Sequence, residues 1–330
     1  MVDLPHIQVF ALGGTIAMTP VPVSGSGSVG AGAVPALDAE ALIAAVPSLA
    51  AIANISARTL ASVGSANLSF GQIADLCRRA ESGSADGYVV TQGTDTLEET
   101  AFLASLLYQG KVPLIFTGAM RTPDQLSADG PSNLYNAVLT AGVLSGGVYV
   151  VINGDIHDPW HVYKSHTSDV SSFTSGEVGA VGYVVEASVH VRVHDQQKPL
   201  PPLIGQGLRP VALLQASFGA DTKLLEQVLG AGYEGLVIEA YGAGHLSEDW
   251  ADAIAVIAQK IPVILCSRCP NGTVFETTYG YAGAEIDLIE RGLVGAGQIK
   301  SRKARILLAA LLADETLDWK SRFLDIKAGF

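Results

Sequence analysis

The sequence predicts an α/β protein with a larger N-terminal domain built on a parallel sheet and a smaller C-terminal α/β domain. Short apolar runs alternate with helical patterns along most of the 330 residues. Strands that are apolar throughout and separated by helices are typical of parallel sheets covered on both faces. A proline-rich stretch, "QQKPLPPLIGQGLRP", interrupts this alternation and is typical of a connector. We therefore predict domains over residues 1–195 and 211–330, joined by a linker over 196–210.

The elements of the N-terminal domain follow from this alternation. Its predicted strands are, in chain order, "IQVFAL", "ISARTLASV", "GYVVTQ", "VPLIFTG" and "GVYVVIN". The helices predicted between them cover Leu37–Val46, Ser69–Ala80, Thr96–Tyr108 and Ser132–Ser145.

The C-terminal domain repeats the pattern on a smaller scale. Its predicted strands are "VALLQ", "GLVIEA" and "PVILCS". Its predicted helices cover Lys223–Ala231, Glu248–Gln259 and Ala284–Arg291, and a last long helix starts at Ser301.

Composition excludes several classes of function. A net charge of −12 without a Lys/Arg cluster disfavours nucleic acid as a partner. No run approaches the ~18 apolar residues that a membrane span needs, and "MVDLPHIQVF" lacks the features of a signal peptide. Three cysteines are too few to cross-link a secreted scaffold. We therefore expect a cytoplasmic protein with no nucleic-acid or membrane partner.

The first strand ends in "ALGGTIA", which delivers Thr15 to the carboxyl end of the predicted sheet. Gly13 and Gly14 let the chain turn sharply and let another group approach closely. Open α/β sheets bind ligands at this end of their strands. An isolated GGT is more often an ordinary turn, so this segment needs independent support.

A second segment, "VVTQGTDTLEET", places Thr94 and Asp95 where a strand ends and a helix begins. An ordinary helix N-cap accounts for Asp95 or Thr96, and acidic residues in the first turn suit the helix dipole. That interpretation leaves Thr94 unexplained. The free N–H groups of a helix N-terminus can also bind an anion or a developing oxyanion.

One glycine pattern and one cysteine pattern indicate structural roles rather than a binding or catalytic site. Gly25–Gly30 matches G-x-G-x-x-G but neither follows a strand nor opens a helix, so it does not predict a dinucleotide site. It lies in Thr19–Pro35, which we interpret as a mobile loop of the kind that forms lids. Cys266 and Cys269 continue a buried strand pattern and, with Cys77, are interpreted as core or near-core residues.

His157, His161 and His166 cluster around Trp160. Spacings of four and five residues in a proline-containing loop do not place three ligands on one side, so we interpret them as ordinary loop histidines. No metal and no cofactor is expected.

The two threonine segments resemble the signature segments of the bacterial-type L-asparaginases. The similarity continues through "TGAMRTPDQLSADGPSNLYNAV", "VYKSHTSDVSSF" and the C-terminal "KARILLAALL", and it spans essentially the whole chain. The phrase "SRCPNGTVFETTY" is more similar to cytoplasmic-type members. The resemblance implies a threonine-based hydrolase that converts L-asparagine to L-aspartate and ammonia, with weaker action on glutamine, as a homodimer or homotetramer.

The resemblance also implies catalytic roles. Thr15 matches the nucleophile-bearing threonine, while Thr94, Asp95 and Lys164 match the threonine, aspartate and lysine that move the proton. A threonine hydroxyl is a weak nucleophile until a neighbouring base takes its proton. A lysine amine can be that base when its surroundings favour the neutral form, and Asp95 can hold it in place.

Substrate-binding roles follow in the same way. Asp95 would bind the α-amino group and Ser65 the α-carboxylate, and the N–H of Thr94 would face the amide oxygen. Gly93 and Ala119 complete the predicted substrate-binding set. His245 aligns with an asparagine of the family, and a glutamate that the family contributes across a dimer falls near Tyr279, so we expect both residues to contribute to the site across a dimer.

Departures from the family leave alternatives open. Thr19–Pro35 contains no tyrosine, whereas periplasmic members have one in this loop, and Ala66 replaces a glutamine. One alternative is the amidase subunit of a tRNA-dependent amidotransferase. Another is an amino-acid-binding relative that has lost turnover, although a binder has no need of Lys164. A covalent intermediate and direct attack by water are both compatible with the sequence.

Overall fold

A computed structural model describes residues 3–21, 32–35, 37–192 and 207–329. The chain divides into two compact units, Met1–Leu200 and Pro201–Phe330. Of the linker predicted over 196–210, the structure describes residues 207–210.

The first unit combines a large sheet with helices and short hairpins. Its strands are β1 His6–Gly13, β2 Met18–Val21, β3 Gly32–Pro35, β4 Asn54–Val63, β5 Gly87–Thr91, β6 Leu114–Thr117, β7 Val148–Ile152, β8 Asp155–His157, β9 Tyr163–Lys164, β10 Phe173–Thr174, β11 Gly182–Val185 and β12 Ser188–Val191. Its helices are α1 Ala39–Ala44, α2 Phe70–Ser82, α3 Leu97–Leu107 and α4 Gly130–Ala141.

The large sheet has the strand order β12-β11-β8-β7-β6-β5-β1-β4. The five strands from β7 to β4 are parallel, as the sequence predicts, and Ala11 of β1 pairs with Thr91 of β5. Strands β8, β11 and β12 add an antiparallel edge that the sequence did not predict. From β1 the chain runs to β4 on one side and later to β5, β6 and β7 on the other. A sheet that reverses its strand order in this way has its ligand crevice at the reversal.

Helices cover both faces of this sheet. Ile7, Val9 and Ala11 of β1 are buried in one cluster with side chains of α1 and α4. Helices α2 and α3 contact each other, α3 contacts β6 and β7, and neither helix contributes to that cluster, so they cover the opposite face. Strands buried on both faces have no polar side, which explains why β5 and β7 read as continuous apolar runs.

Helix α2 shows how local sequence fixes an element boundary. Ser69 Oγ accepts from Gln72 N at 3.3 Å, and Gln72 Oε1 accepts from Ser69 N at 2.8 Å. This reciprocal pair is a capping box, which satisfies two N–H groups that the first turn of a helix leaves without partners. The helix starts after Ser69, where the sequence predicted it.

The prediction of a mobile loop over Thr19–Pro35 is wrong in part. Strand β2 pairs with β3 in an antiparallel hairpin, with Met18 opposite Pro35. Residues 22–31, which include the rejected Gly25–Gly30 motif, lie outside the described part of the chain.

The second unit contains a four-stranded parallel sheet in the order β13-β14-β15-β16. Its elements are β13 Val211–Gln215, α5 Lys223–Gln227, β14 Gly235–Ala240, α6 Glu248–Ala258, β15 Val263–Ser267, α7 Glu285–Glu290, β16 Val294–Gly295, α8 Ser301–Ala313 and α9 Trp319–Ala328. Side chains of α5, α6 and α7 share one core cluster with the sheet, while α8 packs on β13, β14 and β15 without joining it. The helices therefore lie on both faces.

The last predicted helix is two helices. Helix α8 ends at Ala313, and α9 begins after Asp318, whose carboxylate accepts from Lys320 N and Ser321 N. Asp314 accepts from Thr316 N at 3.0 Å and closes the turn between them. Among the helices that the structure describes, none is both long and apolar enough to cross a membrane.

Candidate active site

The predicted site residues of the first unit follow neighbouring strands of the large sheet. Thr15 follows β1, Gly93–Asp95 follow β5, Ser65 follows β4 and Ala119 follows β6. Because these four strands are parallel and adjacent, their carboxyl ends meet at one edge of the sheet. This edge includes the point at which the strand order reverses.

Two glycines bring the ends of β1 and β5 into contact. Gly14 has φ 82° and ψ −178°, a conformation that is essentially restricted to glycine. A Cβ at Gly14 would lie 2.0 Å from the nitrogen of Gly93, and one at Gly13 would lie 2.6 Å from the nitrogen of Val63. Since Gly14 and Gly93 each precede a predicted catalytic threonine in the chain, their contact sets Thr15 and Thr94 on adjoining turns.

Lys164 lies against two of the predicted catalytic residues. Its Nζ donates to Thr94 Oγ1 at 2.8 Å and to Asp95 Oδ1 at 2.8 Å. Thr94 is 5% exposed, and the side chains of Lys164 and Asp95 are 17% and 76% exposed. The three groups therefore form a chain that runs from a buried hydroxyl through an amine to a carboxylate open to solvent.

The backbone of Lys164 is held by Glu98, a contact that the sequence did not predict. Lys164 belongs to the two-residue strand β9, where it pairs with Phe173 of β10. Its N–H donates to Glu98 Oε2, and Glu98 lies in the first turn of α3 with 4% of its surface exposed. In the sequence an acidic residue at this position indicates no more than compensation of the helix dipole.

Ser65 is joined to the start of α3 by two hydrogen bonds. Its Oγ accepts from Thr96 N at 3.3 Å, and its carbonyl accepts from Thr96 Oγ1 at 3.0 Å. Thr96 occupies the N-cap position, but its side chain makes no capping bond. The prediction of an N-cap at Asp95 or Thr96 is therefore confirmed in position at Thr96, but the Thr96 hydroxyl does not cap the helix and instead binds a residue 31 positions earlier in the chain.

Gly93 is fixed by a buried polar pair that the sequence did not reveal. Gln92 Nε2 donates to the carbonyl of Gly93 at 3.2 Å, and Thr100 Oγ1 donates to Gln92 Oε1 at 2.9 Å. Gly93 also leaves room for Ser65, because a Cβ at residue 93 would lie 2.9 Å from Ser65 Oγ. Helix α3 therefore contacts both the turn before Thr94 and the turn that holds Ser65.

The loop that contains Ala119 is organised by α4. Ala119 itself is fully buried. The carboxylate of Asp129 accepts from Met120 N at 2.9 Å and from Arg121 N at 2.9 Å, while Asn133 Nδ2 donates to the carbonyl of Gly118 at 3.0 Å. These bonds fix the backbone on both sides of Ala119.

His245 and Tyr279 lie together in the second unit. Their rings meet edge to face with centroids 5.1 Å apart. Glu285, which is fully buried, accepts from Tyr279 N at 2.7 Å and from Thr278 N at 2.9 Å, and its other oxygen lies 3.1 Å from His245 Nε2. Burial raises the pKa of Glu285, but these hydrogen bonds outweigh it and hold the pKa below its usual value.

The cysteines only partly match their prediction. Cys77 and Cys266 are buried, as expected for core residues, and burial raises the pKa of both thiols. Cys269 is exposed, so its interpretation as a core residue is wrong. It follows the end of β15, where the chain leaves the sheet.

The clustered histidines take part in local contacts, and the N–H of His161 donates to the carbonyl of Asp158 at 3.1 Å. His157 is buried, and its Nδ1 lies 2.9 Å from Ser175 Oγ. Nδ1 of His166 accepts from Ser168 N at 3.1 Å and Asp169 N at 2.9 Å. Within the described ranges, no group of three His, Cys, Asp or Glu side chains could hold a metal ion.

Comparisons with known proteins give matches along nearly the whole chain. A family model described as "Asparaginase, N-terminal" matches residues 6–198, and one described as "Glutaminase/Asparaginase C-terminal domain" matches residues 210–322. The "Probable L-asparaginase periplasmic" of Haemophilus influenzae is 34% identical over 322 residues, covering 94% of this chain and 89% of the relative.

Two further relatives extend this comparison. The "L-asparaginase 2" of Escherichia coli is 33% identical over 324 residues, covering 94% of this chain and 89% of the relative. A subunit of the glutamyl-tRNA(Gln) amidotransferase of Methanosarcina barkeri is 31% identical over 292 residues, covering 84% of this chain and 67% of the relative.

Proposed function

The chain belongs to the asparaginase family, and we propose that it converts L-asparagine and water to L-aspartate and ammonia with Thr15, Thr94, Asp95 and Lys164 as its catalytic residues. The two family models also confirm the two-domain, asparaginase-like fold that the resemblance implied. One observation supports the proposed chemistry most directly, which is the contact of Lys164 Nζ with both Thr94 and Asp95. It joins an amine to a hydroxyl at the sheet edge where Thr15 also lies.

The proposed substrate has two charged groups that suit this edge. Asp95 presents a carboxylate that is largely exposed and can accept the α-ammonium of a free amino acid. An exposed ion pair such as that with Lys164 contributes only about 0–1 kcal/mol, so Asp95 can turn towards the substrate at little cost. Ser65 lies at the N-terminus of α3, where the helix dipole favours the substrate's α-carboxylate.

The proposed proton path uses the short distance between Lys164 and Thr94. An attacking oxygen must lose its proton: we propose that this proton passes to Thr94 Oγ1 while Thr94 gives its own proton to the amine of Lys164 over 2.8 Å. When the C–N bond breaks, the new ammonium of Lys164 returns the proton and ammonia leaves.

Two schemes share that proton path. In the first, Thr15 Oγ1 bonds to the amide carbon, ammonia departs and water then hydrolyses the ester. In the second, water attacks the carbon directly and Thr15 only orients the amide. Hydroxylamine can replace water in either scheme, so the partition between hydroxamate and aspartate is compared for L-asparagine and an aspartyl ester with another leaving group. The first scheme predicts the same ratio for both substrates, because both pass through one Thr15 ester, whereas the second predicts different ratios.

The proposal also gives a role to two residues of the second unit. We expect a homodimer or homotetramer in which His245 and Tyr279 of one copy contribute to the site of another. Tyr279 is 43% exposed and Tyr281 is 55% exposed, which leaves aromatic surface available for such a contact. Light scattering gives the oligomeric state. A cytoplasmic location remains our proposal from the cysteine content.

A coupled ammonia assay tests the proposed function. L-Asparagine, L-glutamine and their D-isomers are supplied separately to the full-length protein. We expect rapid release from L-asparagine, slower release from L-glutamine and little from either D-isomer, because Asp95 and Ser65 would fix the configuration at Cα. Absence of release from L-asparagine contradicts the proposal.

Two other functions give different results in the same assay. The similarity to an amidotransferase subunit favours an enzyme whose glutamine hydrolysis stays silent until charged tRNA and a partner are added. A binding protein without turnover would show aspartate or asparagine binding by calorimetry and no ammonia over hours. The Thr94–Lys164 contact argues against the binding protein, since binding alone needs no base.

A further inference from the structure

We infer that Glu98 is a positioning residue for Lys164 and that it sets the turnover number by fixing the backbone from which the lysine extends. The inference rests on the proposed function, in which Lys164 moves the proton. Glu98 binds the backbone N–H of Lys164, whereas the amine of Lys164 binds Thr94 and Asp95. Its effect on catalysis would therefore be indirect.

The strand that holds Lys164 is short. Strand β9 has two residues, and its ladder with β10 joins Tyr163 to Thr174 and Lys164 to Phe173. Ser165 adds a bond from its N–H to the carbonyl of Ser172. So small a ladder fixes a backbone weakly, because each net hydrogen bond contributes only about 0.5–1.5 kcal/mol.

Glu98 connects this strand to the helix that holds the partners of Lys164. Thr94 and Asp95 directly precede α3, and Glu98 lies in its first turn. The amine of Lys164 therefore binds residues before the helix, while its N–H binds a residue inside it. Any movement of α3 relocates the amine and its partners together, so their spacing is kept.

The location of Glu98 suits a hydrogen-bond acceptor. A buried carboxylate is costly unless polar groups surround it, and Glu98 is 4% exposed. The positive end of the α3 dipole and the N–H of Lys164 both stabilise it there. Glu99 is also in this first turn, so compensation of the dipole does not require Glu98. Glu98 is buried, and its carboxylate accepts from the N–H of Lys164.

A side chain of four methylenes needs a fixed starting point to place its amine. Lysine has a flexible stem and a compact charge, unlike the planar fork of arginine. A displacement of about 1 Å at a catalytic group can reduce turnover about 10²-fold. Loss of the Glu98 bond is therefore expected to lower kcat and to leave KM nearly unchanged, since Asp95 and Ser65 stay in place.

Matched variants of the full chain test this inference. Glu98→Met keeps the buried volume but cannot accept a hydrogen bond, and Glu98→Gln keeps an acceptor oxygen. We expect Glu98→Met to lower kcat about 10²-fold with KM within about 3-fold, and Glu98→Gln to retain most activity. Glu99→Gln removes a charge from the same turn and is expected to stay within about 3-fold of the wild type.

Three outcomes would overturn the inference. These are a wild-type kcat in Glu98→Met, an equal loss in Glu98→Gln, and a loss of the same size in Glu99→Gln. A wild-type kcat in Glu98→Met would show that Glu98 does not influence turnover. An equal loss in Glu98→Gln would mean that the charge of Glu98 matters rather than its acceptor oxygen, and an equal loss in Glu99→Gln would mean that the helix dipole is responsible.

Hydrogen exchange separates this test from the test of the proposed function. The amide of Lys164 is expected to exchange faster in Glu98→Met than in the wild type and at the wild-type rate in Glu98→Gln, whatever the substrate. If the wild-type protein releases no ammonia, the proposed function fails while exchange still reports on the bond. If the wild type is active and the variants do not differ in exchange, the positioning role alone is wrong.

Discussion

Gly14 and Gly93 meet backbone to backbone at the carboxyl ends of two neighbouring strands. A Cβ at Gly14 would lie 2.0 Å from the nitrogen and 2.3 Å from the Cα of Gly93. The backbone atoms of Gly93 cannot move aside for a Cβ as the end of a flexible side chain could. The distance between the turns that carry Thr15 and Thr94 therefore depends on the absence of a Cβ at Gly14.

Gly14→Ala is expected to lower the free energy of unfolding by about 3 kcal/mol or more, since a backbone overlap adds to the strain of positive φ. Gly272→Ala is its matched control. Gly272 has φ 80°, and a Cβ there would meet nothing within 4 Å, so that variant is expected to lose about 1 kcal/mol. Denaturant unfolding measures both. Equal losses in the two variants would mean that the contact with Gly93 does not matter.

Thr15→Val and Thr94→Val are expected to lower kcat/KM for L-asparagine by about 10³-fold or more, because valine keeps the shape of threonine without the hydroxyl. Thr15→Ser and Thr94→Ser keep the hydroxyl and serve as controls that retain measurable turnover. Ammonia release and thermal melting are measured for all four. Release near the wild-type rate in either valine variant would contradict the proposed roles.

Glu285 is expected to make the second unit sensitive to acid. Burial raises its pKa, but hydrogen bonds from the N–H groups of Tyr279 and Thr278 and from His245 reverse that effect, so the pKa in the folded chain lies below the ordinary 4.5. A lowered pKa stabilises the fold above pH 4.5, and this contribution disappears as the pH falls through the native value.

Thermal melting between about pH 3 and pH 7 tests this dependence. Glu285→Gln is expected to melt below the wild type at neutral pH, and the difference should shrink in acid. The control is Glu290→Gln in the exposed part of α7, which is expected to change stability by less than about 0.5 kcal/mol. A difference that stays constant across the range would show that Glu285 does not titrate as proposed.

Cys269 is expected to be the thiol that reacts in the native chain. It is exposed, whereas Cys77 and Cys266 are buried and their thiol pKa values are raised by that burial. A thiol reagent monitored by mass spectrometry should add one label to the native protein and three after denaturation. Rapid native labelling of a Cys269→Ser variant would contradict this burial pattern.

The parallel core of the first unit was predictable because its signals are local. Strand β5 is buried along its whole length, so every one of its residues favours a strand inside a covered sheet. The β11–β12 hairpin gave no such signal. Its turn residues Glu186 and Ala187 have φ values of 50° and 56°, where asparagine and glycine are the usual choices.

The residues of the candidate site also differ in how far the sequence alone predicts them. Thr15 and Thr94 stand out because each follows a strand and a glycine, which the sequence displays. Lys164 does not stand out, because it lies 70 residues from Thr94 in the chain and an isolated lysine suggests a solvated surface. Its position was expected only through the family resemblance. Glu98 had neither signal, since its bond to Lys164 depends on the tertiary fold.

The position of β1 inside the large sheet has a consequence for synthesis on the ribosome. This strand is translated before both of its neighbours, which are β4, ending at Val63, and β5, ending at Thr91. A nascent chain therefore cannot enclose β1 until Thr91 has left the exit tunnel. Until then β1 lacks one of its two paired strands, so the core of this sheet forms only after β5 has been synthesised.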